Sequence, residues 1–231
     1  MYSLNTIIPN KKKALFFAKR ELPVMVCDAV NLEGINYTLP EIQTLLDGVT
    51  VGGHKLSDEQ ITLNQAKAWN YLFAAVEANQ FSLTKEFSCQ LHAIAAKEES
   101  LEWGCFRSGA VTIAGTDYTP PGANKLDELW SEMLMQAKKI TDIFDKAIFI
   151  FLQMARYQFF YDVNKRMGRF MMNGILLDHG LPAINLPAKR QLEFNKLMLD
   201  FYPSGDISPM TAFMKSCIDP RIIKIMSENS G

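Results

Sequence analysis

The sequence has few of the residues that would announce a metal cluster or a disulfide framework. Its four cysteines, Cys27, Cys89, Cys105 and Cys217, form no C-x-x-C pair and have no histidine at ligand spacing. They read as free thiols, not as a zinc site or a staple. Only three histidines are present, His54, His92 and His179, and none lies beside a serine or cysteine that it could activate, so no hydrolase triad can be assembled. A charge excess is missing too: the formal net charge is -1, which gives no bulk attraction for nucleic acid or acidic membranes. The longest apolar run, Ala147 to Leu152, falls far short of the ~20 residues of a membrane span. The opening MYSLNTIIPNKKK places its short apolar stretch before the basic run, the reverse of a secretory signal. The expectation is a cytoplasmic protein with neither nucleic acid nor membrane as partner, and a homo-oligomer is left open. There is no internal repeat or low-complexity tract.

What the 231 residues do contain is ordinary globular composition, 48% hydrophobic and 21% charged, enough to bury a real core. Helical spacing dominates. Thr38-Leu-Pro-Glu41 is a capping box opening a helix to about Leu46. Ser57-Asp-Glu-Gln60 reads as a second start, followed by an apolar stripe through Leu63, Ala66, Trp69, Leu72 and Phe73 to about Glu77. Further helices are expected from after Ser82 to about Ala96, from Asp142 to Arg156 as a central buried helix, from Lys165 to His179, and near Lys189 to Asp200 and Pro209 to Cys217. One segment departs from this pattern. In Arg107 to Thr116, Val111 and Ile113 alternate with small or polar residues between Gly109 and Gly115, which predicts a short β-hairpin. The chain is expected to divide into an N-terminal helical segment, 1–55, a core, 56–200, and a C-terminal helical extension, 201–231.

The chemistry concentrates in Gln158-Phe-Phe-Tyr-Asp-Val-Asn-Lys-Arg-Met-Gly-Arg169, read as a loop entering a helix capped by Asn164. Lys165 and Arg166 fall in the first turn and Arg169 in the next. Cations at a helix N-terminus are unfavourable by ~0.3–1 kcal/mol each, and Arg166 and Arg169 repel at i, i+3. The placement makes sense when an anion binds there, gathered by free amides, helix dipole and cationic side chains. Polyphosphate is the natural ligand, and Asp162 is then a candidate Mg²⁺ ligand. The alternative is a solvated cationic face with Asp162 paired to Arg166. Phe159 and Phe160 read as core anchors of the loop.

This segment resembles the signature of the Fic/Doc family, H-x-F-x-[DE]-G-N-G-R-x-x-R, with matches at Phe160, Asp162, Asn164, Arg166 and Arg169. FRSGAVTIAGTDYTPP resembles the family's hairpin flap, and NLEGINYTLPEIQTLL its N-terminal inhibitory segment. The resemblance implies a mainly α fold, a Fic-type helical bundle with a short β-hairpin flap. It also implies transfer of AMP from ATP to a hydroxyl of a protein target. Asp162 would hold Mg²⁺. Asn164 and Arg166 would hold phosphates, and Arg169 the outer ones. Val111, Thr112, Ile113 and Ala114 would align the target by strand addition. Glu33 would pair with Arg169 and block productive ATP binding until it moves.

Three positions depart from the family pattern. Gln158 stands where the family has its catalytic histidine, and an amide cannot serve as a general base. Lys165 resembles the Doc branch, which transfers phosphate instead of AMP. Ala29 replaces the serine or threonine usual four residues before the inhibitory glutamate, so that segment is expected to be held differently. Gly168 is not a phosphate-binding glycine in this alignment; close helix packing is the expected reason for it, at a cost of ~1 kcal/mol relative to alanine. The sequence leaves three functions open: an adenylyltransferase altered by the missing histidine, a Doc-like phosphotransferase, and an inactive ATP-binding regulatory module.

Overall fold

The computed structural model describes residues 3–228. Among them the chain forms eleven α-helices. Two of these make the centre: α7, Ile143–Tyr157, and α8, Asn164–Asp178. Residues 147–155 of α7 are buried without a break, so this helix has no solvent face to speak of. It packs on α8 more extensively than any other helix pair. The approach is close because position 168 has no side chain: a Cβ there would lie 2.7 Å from the Phe151 carbonyl oxygen and 2.9 Å from its ring. Around this pair sit α4 (Leu56–Glu77), α5 (Lys85–Ala95) and α6 (Leu126–Lys138). The helices α1 (Lys11–Arg20), α2 (Leu22–Asn31) and α3 (Leu39–Leu46) cover α4 and the start of the bundle. Of the last three, α9 (Gln191–Ser204) and α10 (Ser208–Ser216) pack together, α10 also against α7, while α11 (Pro220–Ser227) returns to α1. One apolar cluster runs through the whole, from Ile7 to Met226. Phe151, Phe159, Phe160 and Phe170 are among its fully buried rings, each contributing about 1.5–3 kcal/mol of transfer free energy.

Local signals set most helix ends. Thr38 accepts from the Glu41 amide while Glu41 reaches back to the Thr38 amide, a complete capping box. Thr84 and Asp142 cap α5 and α7 by the same kind of bond. Two expected starts are corrected. Helix α4 begins at Leu56 after Lys55, with no side-chain cap, so Ser57 lies inside it; Thr62 instead returns its hydroxyl to the Asp58 carbonyl. Helix α8 begins at Asn164 itself, and its N-cap is Val163, held at φ 64°. Helix α6 went unread in the sequence, and α1, α2 and α11 fall in the segments expected to be helical without having been delimited. For α6 the signal is present, since Leu126, Trp130, Met133 and Ala137 are buried at helical spacing.

The hairpin is also corrected: the described residues contain no strand. The segment after Arg107 is an extended loop. Val111 and Ile113 alternate as a strand would, but the returning arm carries Pro120 and Pro121, which have no amide to donate. No backbone–backbone hydrogen bond joins residues 108–118 to other described residues. A guanidinium holds the loop's base in place of a ladder. Buried Arg107 donates from Nε to the Gln158 carbonyl at 2.6 Å, from Nη1 to that of Gly109 at 2.6 Å, and from Nη2 to that of Pro121.

Because the α7–α8 contact leaves no room at position 168, Gly168→Ala is expected to destabilise by about 1–3 kcal/mol despite its better helix propensity. A thermal melt would show this as a fall of several degrees; an unchanged or raised midpoint would refute the close-packing account.

Candidate functional site

The turn between α7 and α8, residues 158–163, is the centre of the site. It is bracketed by two residues in the left-handed region, Gln158 at φ 51° and Val163 at φ 64°, a conformation uncommon for any residue but glycine and worse for a β-branched one. The surroundings impose it. Phe159 packs against Phe106 and Trp130, and Phe160 is stacked on His92 with ring centroids 3.9 Å apart. Asn164 ties the turn from inside: its Oδ1 accepts from the Phe160 amide at 2.9 Å, and its Nδ2 donates to the Phe160 carbonyl at 2.8 Å and to Gln158 Oε1 at 2.9 Å. The other end of the Gln158 amide donates to the Ala155 carbonyl at 2.6 Å. Both ends of Gln158 are therefore engaged within the turn.

The start of α8 has the properties of an anion seat. Val163 offers no capping side chain. Among the described residues the amides of Asn164, Lys165 and Arg166 find no acceptor; these are the orphan donors of a helix N-terminus. Among the described residues Lys165 makes no side-chain ion pair or hydrogen bond, and neither does Arg169, which is only 8% exposed. Burial, chiefly, together with the neighbouring Arg166 pushes the Arg169 guanidinium down to about 10, against the opposing pull of Glu33 and Asp28. It stays cationic at neutral pH. A buried guanidinium with no partner is costly unless a ligand completes it.

Glu33 reaches this seat from the turn after α2. Burial would raise its pKa, but Lys165, Arg166 and Arg169 outweigh that and hold it below the ordinary carboxylate range. The ion pair it makes is with Arg166, Oε1 to Nε at 3.8 Å, and not the expected one with Arg169. The turn is fixed from several directions. Asp28 accepts from Asn185 Nδ2 at 2.6 Å and from the Ala188 amide at 2.8 Å. Gln191 donates to the Leu32 carbonyl at 2.9 Å, and Gly34 takes φ 82° directly after Glu33. These bonds anchor the segment where Ala29 offers no hydroxyl.

A cleft of about 400 Å³ brings the parts together. Glu33, Gln158 and Asp162–Arg166 form one wall, Thr112, Ile113 and Ala114 of the loop the second, and Asn195, Met198, Leu199 and Tyr202 of α9 the third. Val111, expected beside its neighbours, does not line it, and Arg169 lies buried one turn behind Lys165. Gly115, at φ 83°, sits against Leu199 and closes the loop onto α9. Asp162 is exposed; its Oδ1 accepts from the Val163 amide at 2.6 Å, leaving Oδ2 free. Among the described residues no three acidic, histidine or cysteine side chains gather as a metal site. A single free carboxylate fits Mg²⁺ only where phosphate oxygens complete its shell, which is how Mg²⁺ usually binds nucleotides.

Two residues here were missed in the sequence. Glu99, in the loop after α5, clasps Arg166 through both oxygens: Oε2 accepts from Nη1 at 2.9 Å and Oε1 from Nη2. His92 is fully buried under the turn. Its Nδ1 accepts from the Gly104 amide at 3.1 Å, so Nε2 carries the proton and faces the Asp162 carbonyl at 3.4 Å. It supports the turn from behind and has no free nitrogen for the cleft. No local pattern marks either residue; each lies about seventy positions from its contact.

Residues 82–176 match the Fic/DOC family. The match covers less than half of the chain, and in that part the chain is similar to the Fic/DOC family. The matched part runs from before α5 through most of α8 and contains the loop, the turn and the anion seat; Glu33 and the α9 wall come from outside it. The protein adenylyltransferase Fic of Drosophila erecta is 23% identical over 225 residues, covering 95% of this chain and 43% of that protein. This chain thus spans less than half the length of such relatives. A Fic domain containing signaling protein from Bacteroides thetaiotaomicron shares the fold, with a TM-score of 0.76 at 18% identity over 97% of this chain and 92% of the other. IbpAFic2, crystallised covalently tethered to Cdc42, matches at a TM-score of 0.52 and 14% identity over 97% of this chain and 67% of its own. No helix among the described residues is long and apolar enough to cross a membrane.

The turn should carry an acid sensitivity of its own. Burial, chiefly, and the neighbouring Arg166 push His92 down to about 4, against the bond to Asp162. In the unfolded chain a histidine titrates near 6.5. Between these values the unfolded state binds the extra proton, so stability is present above about pH 6.5 and declines as pH falls towards 4, by about 3 kcal/mol in all. Urea denaturation across this range should show the slope in the native protein and a shallower one in His92→Gln; equal slopes would refute the assignment.

Proposed function

We propose that this protein binds Mg-ATP through the α8 N-terminus and transfers AMP to a hydroxyl of a protein target, at a rate reduced by the loss of the histidine. The observation that carries the reading is the unpartnered, buried Arg169 beside unpartnered Lys165 and three free amides, with the Glu33 carboxylate held in their field. A carboxylate in that position is itself an anion on an anion site, and a phosphate competes for the same charges. Glu33 acts as an inhibitory residue on this reading. The adenylyltransferase name of the Drosophila relative supports AMP as the transferred group. The tethering of IbpAFic2 to Cdc42 supports a protein as acceptor.

In the transfer, the acceptor oxygen attacks the α-phosphorus, the bond to the bridging oxygen breaks and pyrophosphate leaves. Asp162 would hold Mg²⁺ through its free oxygen, supplying charge neutralisation at the phosphates. The unpaired backbone of residues 108–118 offers donors and acceptors to an extended target segment, a strand-addition mode. The proton of the acceptor hydroxyl has no strong base: Gln158 cannot take it, and both its ends are already bonded. The proton passes to water or to Asp162, at a cost of ~10²–10⁴ in rate. That engagement of Gln158 also supports a second reading, a nucleotide-binding regulator without transfer. Lys165 lining the cleft keeps a Doc-like phosphate transfer in view.

Calorimetry should show Mg-ATP binding tightened by Glu33→Gly and lost in Arg169→Ala, with the fold intact by circular dichroism. Absence of both effects would refute the phosphate seat. Transfer from ATP labelled separately at the α- and γ-phosphates then decides the reaction. The Glu33→Gly protein should deposit α-label on a target protein slowly, and Gln158→His in the same background should raise that rate. Label from the γ-position alone would replace AMP transfer by phosphate transfer, and binding without label in either variant would favour the regulator.

A further inference from the structure

Three cations lie at the start of α8, and their partners divide them into two kinds. Arg166 is 4% exposed, and both its terminal nitrogens are clasped by Glu99. Its one nitrogen without a hydrogen bond, Nε, is sealed from solvent and faces Glu33 at 3.8 Å. Lys165 and Arg169 stand i, i+4 on one face of α8 and make no side-chain hydrogen bond or ion pair among the described residues. Two like charges at that spacing repel, and among the described residues the carboxylates that offset them are Glu33, which acts on both, and Asp28, which acts on Arg169.

We infer that Arg166, although it lines the cleft, is a positioning strut held by Glu99, and that phosphate recognition falls to Lys165 in the cleft and to Arg169 one turn behind it. The inference rests on the nucleotide-binding reading above. Its physical basis is competition. For Arg166 to turn to a phosphate, the ligand would have to break a buried two-point ion pair and leave Glu99 as an unpaired carboxylate beside the incoming anion. Lys165 and Arg169 ask for no such exchange. The strut also has a mechanical role: it joins α8 to the loop after α5, which leads through Arg107 into the wall of the cleft formed by Thr112, Ile113 and Ala114. Together with His92 under the turn, it fixes the direction in which the α8 amides point.

The test is a double-variant comparison in the Glu33→Gly protein, with Mg-ATP affinity measured by calorimetry. Arg166→Met leaves Glu99 unpaired near the phosphates and is expected to weaken binding about tenfold or more. Adding Glu99→Gln removes that stranded charge and should restore affinity to within about threefold of the parent. The same Glu99→Gln change should fail to rescue Arg169→Ala or Lys165→Ala, because there a phosphate contact itself is missing. If Arg166→Met with Glu99→Gln stays as weak as Arg166→Met alone, Arg166 is a phosphate ligand and the strut is overturned. Should Arg166→Met alone not fold, the double variant against the parent decides: affinity kept within threefold supports the strut, and a loss beyond tenfold overturns it. A parent that binds no Mg-ATP overturns the nucleotide reading and this inference with it, an outcome distinguished by the missing heat in every variant.

Discussion

The contact of α8 with α7 at Gly168 is the constraint from which the rest of the site follows. With the Phe151 carbonyl against position 168, the two helices cannot separate or slide without opening the core. The chain must therefore reverse direction between Tyr157 and Asn164 in six residues. Such a short reversal needs left-handed backbone, and Gln158 and Val163 supply it in spite of their side chains. Strain of this kind, of order 1–3 kcal/mol for each such residue, persists because Phe159 and Phe160 are locked into the core beneath and Asn164 ties the turn across. The helix then begins without a capping side chain, and its free amides face the cleft. The uncapped helix N-terminus is thus the by-product of a packing requirement.

Around this seat the charges are arranged by unequal partnership. Arg166 is satisfied by Glu99, and Arg107 by carbonyls of the turn and the loop. Lys165 and Arg169 are left over. The nearest carboxylate in their field, Glu33, arrives on the turn after α2, which Asp28 anchors to the 185–188 segment. Its hold on the seat is therefore an interaction between elements and not a property of the turn. An element that makes one 3.8 Å ion pair to the site can leave without dismantling the turn, whereas Glu99 cannot.

Much of the architecture was legible because helices report themselves through near neighbours. Thr38 with Glu41, and Thr84 or Asp142 with the amides three residues on, are contacts within one turn of chain. The stripe of α4 and the buried length of α7 follow from periodicity alone. The failures have the same explanation in reverse. Val111 and Ile113 carry a strand's alternation, but a strand exists only with a partner, and Pro120 and Pro121 remove the donors that the returning arm would need. Ser57 has the chemistry of a cap, yet α4 starts one residue earlier, at Leu56, where Lys55 leads in. Asn164 has it too, but its amide is used to close the turn that precedes the helix.

The candidate site divides along the same line. Phe160, Asp162, Asn164, Lys165, Arg166 and Arg169 lie within ten residues, and their spacing alone put cations at a helix N-terminus where an anion belongs. The sequence by itself determined that seat, its lack of a histidine at position 158, and the presence of an acidic residue at 33. Only the tertiary structure decided which cation is free. Glu99 reaches Arg166 across 67 positions and His92 reaches the Asp162 carbonyl across 70, and such pairings depend on how helices pack, which no local pattern encodes.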